Sequence, residues 1–222
     1  MPTDALINVN GESVQALEIL FLTTVLMLLP SLIIMMTSFT RYVVVFSFLR
    51  TAMGTQQTPP NMVLVGMALI LTLFTMSPTL AQINEEAFAP YQAEEITQEE
   101  FFDRAQGPVK RFMSKWAEVQ SVELYCNMSG TPVPATEEEA EELPLTVLIP
   151  AFVTSELKKA FSLGFLLYIP FVLIDMVVAS TLMSMGMVML PPSMISTPFK
   201  LLLFVLLDGW QLLFATLAAG FV

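Results

Sequence analysis

The chain has no histidine and only one cysteine, Cys126, among its 222 residues. Without imidazole there is no histidine general base and no histidine-ligated metal site. One thiol excludes an intrachain disulfide and a four-cysteine cluster, which leaves Cys126 as an inert filler residue. Charge is scarce as well. Asp, Glu, Lys and Arg make up 13% of the residues, against 55% hydrophobic ones, where a soluble domain carries about a quarter charged residues. Nine Lys and Arg facing twenty Asp and Glu cannot build a phosphate-binding stripe, so nucleic acid is excluded as a partner. No Gly-x-Ser-x-Gly, glycine-rich phosphate loop, EF-hand spacing or carboxylate pair within an apolar segment occurs. With no catalytic set to point to, the chain reads as a non-enzyme without cofactor or metal.

What the sequence does contain is unevenly divided. Mean hydropathy is +0.70 and the isoelectric point is about 4.3. Residues 85–142 hold 14 acidic and 4 basic side chains, while the other 164 residues hold 6 and 5. Eleven charges over that length cannot solvate a globular surface. The acidity belongs to one polar segment, and the rest is membrane-type sequence.

Four regions follow. Residues 1–18 form an acidic tail with no Lys or Arg, the wrong charge for the leading part of a signal peptide. Residues 19–84 read as a first hydrophobic helical hairpin. Its opening 22 uncharged residues (19–40) are long enough as a helix to cross a hydrocarbon core of about 30 Å, with a kink expected at Pro30. A basic stretch between Arg41 and Arg50 and a turn at Gly54–Asn61 lead into a second apolar run, 62–83, interrupted at Pro78. Residues 85–142 read as an acidic helical segment, divided at Gly107–Pro108 and ending in a solvated, mobile loop at 136–142. Residues 143–222 form a second hydrophobic region. Its stretch from Ala160 to Leu190 is too long for one simple span, so breaks or a fold-back are expected at Gly164, Pro170 and Gly186. Pro191–Pro192 ends it.

Arg41 and Arg50 place the first connection on the cytoplasmic side and the acidic segment outside, and Lys200 places the last connection inside. Lys158 and Lys159 fall on the outer side and contradict this rule. Inside the apolar regions, Asp175 and Lys200 are charges at bilayer depth, which need a partner. They are 25 residues apart with Pro191–Pro192 between them, so a hairpin can pair them. Six of the sixteen methionines lie between Met176 and Met194. Met183, Met185, Met187 and Met189 alternate; an extended loop, favoured by Gly186 and the double proline, directs all four to one side. The fold class is all-α: an integral membrane-type protein of long, broken helical hairpins. A stand-alone channel for small ions or solutes also accounts for buried charges and methionines; a membrane enzyme lacks any catalytic set.

Several stretches carry a resemblance. TSFTRYVVV (37–45), TPPNMVLVGMAL (58–69), PAFVTSELKKAFSLGF (150–165) and PFKLLLFVLLDGW (198–210) are similar to sequences of the FliP/SctR family of type III secretion export-gate proteins. IPFVLIDMVVASTLMSMGMVMLPP (169–192) fits the stretch between its two signature motifs. The likeness covers nearly the whole chain and is weakest in 1–18 and 120–142. It implies a subunit present in several copies, as a pentamer, wound with FliQ and FliR into a helical, ring-like channel in the bacterial inner membrane, with FlhB and FlhA nearby. Unfolded flagellar proteins would pass through it; an injectisome gate is the alternative. The resemblance implies a methionine-rich gasket, placed at Met185, Met187 and Met189, and subunit contacts at Glu156 and Arg41. It also implies that segments packed on other subunits, and on membrane lipid, need not sit at ordinary bilayer depth.

Overall fold

A computed structural model of the chain describes residues 8–9, 12–13, 15–55, 57–187 and 189–221. Much of the acidic tail expected over 1–18 lies outside the described residues. Among those described, ten α-helices carry the fold, with one two-residue antiparallel ladder pairing Asn8–Val9 with Glu12–Ser13. Helix α1 (Gln15–Met35) runs through Pro30, and the sharp turn comes later, at 36–38, where the chain bends by 73° into α2 (Phe39–Met53). Arg41 and Arg50 therefore lie within α2, not in a connecting stretch. Gly54 ends α2 in the left-handed conformation, φ +73°, with its N–H on the Thr51 carbonyl, a geometry that favours glycine.

Helix α3 (Asn61–Ile83) also passes its proline, Pro78. It continues through a π-helical turn, Asn84–Phe88, into α4 (Ala89–Gln92), giving a continuous apolar rod of 32 residues. In the acidic segment, α5 (Gln98–Trp116) opens on a capping box. The Thr97 hydroxyl accepts from Glu100 N–H, and Thr97 N–H donates to the Glu100 carboxylate at 2.9 Å, satisfying two free donors of the first turn. The expected division at Gly107–Pro108 is absent: Pro108 is wholly buried, and its packing outweighs the lost backbone bond. The chain breaks instead at Ala117–Glu118, ahead of α6 (Val119–Ser129). The run at 136–142 is likewise not a loop. Thr136 caps a short helix, α7 (Glu137–Glu142), by accepting from Glu139 N–H at 3.2 Å.

Helix α8 (Leu145–Ser184) is one unbroken rod of 40 residues, about 60 Å long at the α-helical rise. Neither Gly164 nor Pro170 interrupts it; the fold-back comes only at Gly186, φ +75°. Helices α9 (Pro192–Leu206) and α10 (Gly209–Ala219) follow as a pair bent by 63°.

One core unites the two kinds of sequence. Tyr42, Val45, Phe46 and Leu49 of α2 pack with Leu148, Ala151, Phe152 and Ala160 of α8, with Leu64 and Ala68 of α3, and with Phe112, Met113, Val122 and Cys126 of the acidic segment. Away from this core the apolar helices are bare. Long aliphatic and aromatic side chains of α1, α3, α8 and α9 lie exposed along their length.

Candidate functional site

Three features are candidates: two buried charge clusters and the α8–α9 loop. The first cluster is built on α2 and α8. Arg41 is 4% exposed and Glu156 fully buried, and the guanidinium grips the carboxylate in a fork, Nε to Oε2 at 2.7 Å and Nη2 to Oε1 at 2.6 Å. Such bidentate geometry is what lets an ion pair survive desolvation. The third arm, Nη1, donates to the Gly220 carbonyl at 3.1 Å, and the Phe221 ring lies under the guanidinium at 3.7 Å. Both side chains are thus consumed within the chain. A subunit contact cannot run through their own tips; it would have to run through the helices they join.

The neighbouring residues of α8 hold the elbow between α5 and α6. Ser155 Oγ accepts from Glu118 N–H at 2.8 Å and donates to the Ala151 carbonyl at 2.7 Å. Lys158 Nζ meets Glu118 Oε2 at 2.6 Å, and Lys159 Nζ caps the end of α5 on the Trp116 carbonyl, also at 2.6 Å. Lys159 is 3.8 Å from Glu156. The two lysines that broke the orientation rule are therefore clamps on the polar segment. Trp116, Glu118, Gly220 and Phe221 had no role at this site in the sequence reading, and the helical spacing of apolar residues continues across the elbow, from Met113 through Trp116 to Val119.

The second cluster sits between α8 and α9. Lys200 Nζ donates to Asp175 Oδ2 at 2.6 Å and to the Ala52 carbonyl, at the end of α2, at 3.1 Å. Ser196 Oγ donates to Asp175 Oδ1 at 2.5 Å. Lys200 is 5% exposed, whereas the Asp175 side chain is 39% exposed, so one lysine ties three helices together.

Of the four alternating methionines, Met183 lies in the last turn of α8 and Met185, Met187 and Met189 in the connection that follows. A single extended strand carrying all four is therefore not what forms. All are exposed, Met189 at 98%. In the polar segment, Arg111 is held above the ordinary arginine pKa by its hydrogen bond to Glu86, and burial pushes the Cys126 thiol up. Among the described residues no group of three His, Cys, Asp or Glu side chains could hold a metal ion.

Two helical rods of 32 and 40 residues are apolar and long enough to cross a membrane, and each bent pair could add a span. Their charges are paired internally and their apolar faces are left for something else to cover. Such a chain is an all-α membrane-type protein suited to assembly. The sequence pattern of the FliP family matches residues 22–217. The flagellar biosynthetic protein FliP of Bacillus subtilis is 50% identical over 204 residues, 92% of this chain and 91% of that protein. Its namesake in Aquifex aeolicus is 49% identical over 212 residues, 96% and 88% of the two chains. The Caulobacter vibrioides FliP is 48% identical over 220 residues, 97% and 82%. The chain belongs to the FliP family.

Proposed function

We propose that this chain is a core subunit of the flagellar type III protein export gate in the bacterial inner membrane. The family match across residues 22–217, with relatives named for flagellar biosynthesis, carries this reading and favours a flagellar over an injectisome gate. On this proposal several copies, as a pentamer, wind with FliQ and FliR into a ring-like channel beside FlhB and FlhA. Unfolded flagellar proteins pass through, and the protein does no catalysis. The bare apolar faces of α1, α3, α8 and α9 suit burial against other copies, other subunits and lipid. The division into a tail (1–18), a first hairpin (19–84), an acidic segment facing outward (85–142) and a second hydrophobic region (143–222) belongs to the same proposal. So does the subunit contact near Arg41 and Glu156, now assigned to the α2–α8 surface they brace. Met185, Met187 and Met189 are placed at the constriction.

Co-expression with FliQ and FliR and purification in mild detergent tests this reading. A complex with several copies of this chain, sized by native mass spectrometry, is the expected result. A monodisperse species that is stable alone and conducts small ions would instead establish a self-sufficient channel.

A further inference from the structure

Eight charged side chains stand in the two hydrophobic regions, 19–84 and 143–222. Six of them are in ion pairs: Arg41 with Glu156, Lys158 with Glu118, Lys159 with Glu156, and Lys200 with Asp175. Two are left, one of each sign. Among the described residues neither Arg50 of α2 nor Asp208, between α9 and α10, has an ion-pair partner, and the two do not meet within one chain. Arg50 has one long contact, from Nη1 to the Pro59 carbonyl at 3.5 Å. Asp208 is exposed, and its side chain makes no bond to the first turn of α10. A charge in apolar, membrane-type sequence is costly without a partner or water.

The surroundings of Asp208 fit a guanidinium. The chain bends by 63° there, with Asp208 in the left-handed conformation, φ +49°. A shallow groove of about 260 Å³ at the bend is bordered by Phe204, Asp208, Trp210 and Gln211. The Phe204 and Trp210 rings pack edge-on, with centroids 5.3 Å apart. A carboxylate beside aromatic faces offers a planar guanidinium both a forked ion pair and a stacking surface. Depth agrees as well. Lys200 of α9 meets the Ala52 carbonyl at 3.1 Å, and Phe214 of α10 meets Phe46 with ring centroids 5.7 Å apart. Asp208 comes between Lys200 and Phe214 along the chain, and Arg50 between Phe46 and Ala52, so both charges lie in the same layer of the molecule. In copies arranged side by side at one height, Arg50 of each stands level with Asp208 of its neighbour.

We propose that Arg50 of one copy docks in the Asp208–Trp210 groove of the next. Of the nine Lys and Arg, four lie in the acidic segment among its own carboxylates and four are paired as above; Arg50 is the one that a second copy has to offer. The contact joins two different patches, so its repetition leads around a ring and does not close on a pair. It rests on the proposed assembly of several copies and sets the register between neighbours.

Cross-linking in native membranes tests the contact. Two differently tagged copies of the full chain, both Cys126→Ala, are co-expressed with FliQ and FliR, one carrying Arg50→Cys and the other Asp208→Cys. A short bis-methanethiosulfonate should link the two tags well above controls in which both copies carry the same cysteine. No link above those controls, or linkage of the Asp208→Cys copy to FliQ or FliR in its place, would overturn the proposal. A double-variant cycle measures the charge. Asp208→Asn suits the left-handed conformation, so it removes the charge and keeps the bend. Asp208→Asn and Arg50→Gln should each lower the yield of the multi-copy complex about fivefold. The double variant, with neither charge stranded, should lose no more than the worse single one. Unchanged yields in the single variants, or losses that multiply in the double, would overturn the pairing. A wild-type chain that forms no complex with FliQ and FliR would overturn the gate reading, while the link between tags still decides the pair.

Discussion

Gly164 of α8 lies directly against the ring of Phe48 on α2. A Cβ built on the glycine would stand 2.5 Å from Phe48 Cγ and 3.0 Å from its Cβ. The second contact is near the backbone, so Phe48 cannot swing clear, and its ring is held further by an edge-on contact with Phe161 at 5.1 Å. Glycine stands at this point because two helices approach closely there.

Gly164→Ala therefore sets two effects against each other. Alanine gains up to about 1 kcal/mol of helix propensity, whereas overpacking costs about 1–3 kcal/mol. The thermal midpoint of the detergent-solubilised protein should fall. In a Phe48→Ala background the clash is gone, and the same substitution should leave the midpoint unchanged or raise it. A fall of equal size in both backgrounds would mean that Phe48 is not the obstacle.

Asp175 and Lys200 are unequal partners. Removing Asp175 strands a buried ammonium, with only the Ala52 carbonyl left; removing Lys200 strands a carboxylate that keeps Ser196 and reaches the surface. A stranded buried group costs about 1–3 kcal/mol, more when charged. Asp175→Ala should thus reduce the yield of folded protein more than Lys200→Ala, and the double variant should lose less than the two single losses combined. Size-exclusion chromatography of fluorescently tagged variants measures this, and strict additivity would mean that the pair is not coupled.

These two sites show what the sequence could and could not convey. An aspartate and a lysine stranded in apolar sequence have few ways to be satisfied, so the requirement for partners is visible in one dimension. Glycine and proline are ambiguous there. Gly164, Pro170, Pro78 and Gly107–Pro108 all look like breaks by local propensity, yet each sits inside a continuous helix, because tertiary packing outweighs a lost backbone bond or a flexible residue. The elbow at Ala117–Glu118 carries no strong local breaker. It is set by Ser155, Lys158 and Lys159, 37 or more positions away, a relationship no local pattern contains. The same holds for Arg41: its basic character is plain, but its fork on Glu156 and its seat for Phe221 depend on three segments meeting.

Cys126 supplies a pH-dependent prediction. Burial raises its pKa above the ordinary thiol value of 9.0, so the folded state keeps the proton where the unfolded chain releases it. The unfolded state then binds fewer protons above that value, and stability falls as pH rises through it. Below it the thiol contributes no slope. Thermal midpoints compared from pH 7 to pH 10 should drop more steeply above pH 9 for the native protein than for Cys126→Ala, which has nothing to ionise there. Identical slopes in the two proteins would show that the thiol titrates freely in the fold.

The methionine loop makes the most demanding prediction, because it rests on the proposed assembly into an export gate. Met185, Met187 and Met189 are exposed at 62%, 41% and 98% on a connection between two helices, so the chain spends none of them on its own core. An unbranched thioether is apolar enough to exclude ions and flexible enough to re-pack around a passing polypeptide. A charged side chain would let ions in, and a rigid aromatic one would not yield to different cargo. Replacing all three with alanine removes bulk from the loop without touching the Asp175–Lys200 pair or the helices around it. The complex with FliQ and FliR should therefore form in ordinary yield. On the proposed export-gate reading its ion conductance in planar bilayers, however, should rise several-fold, since each copy would contribute three shortened side chains to the same constriction. Growth of cells carrying the variant should become sensitive to sodium or potassium load for the same reason. A correctly assembled triple variant with unchanged conductance would assign the methionines to contacts between subunits rather than to the seal.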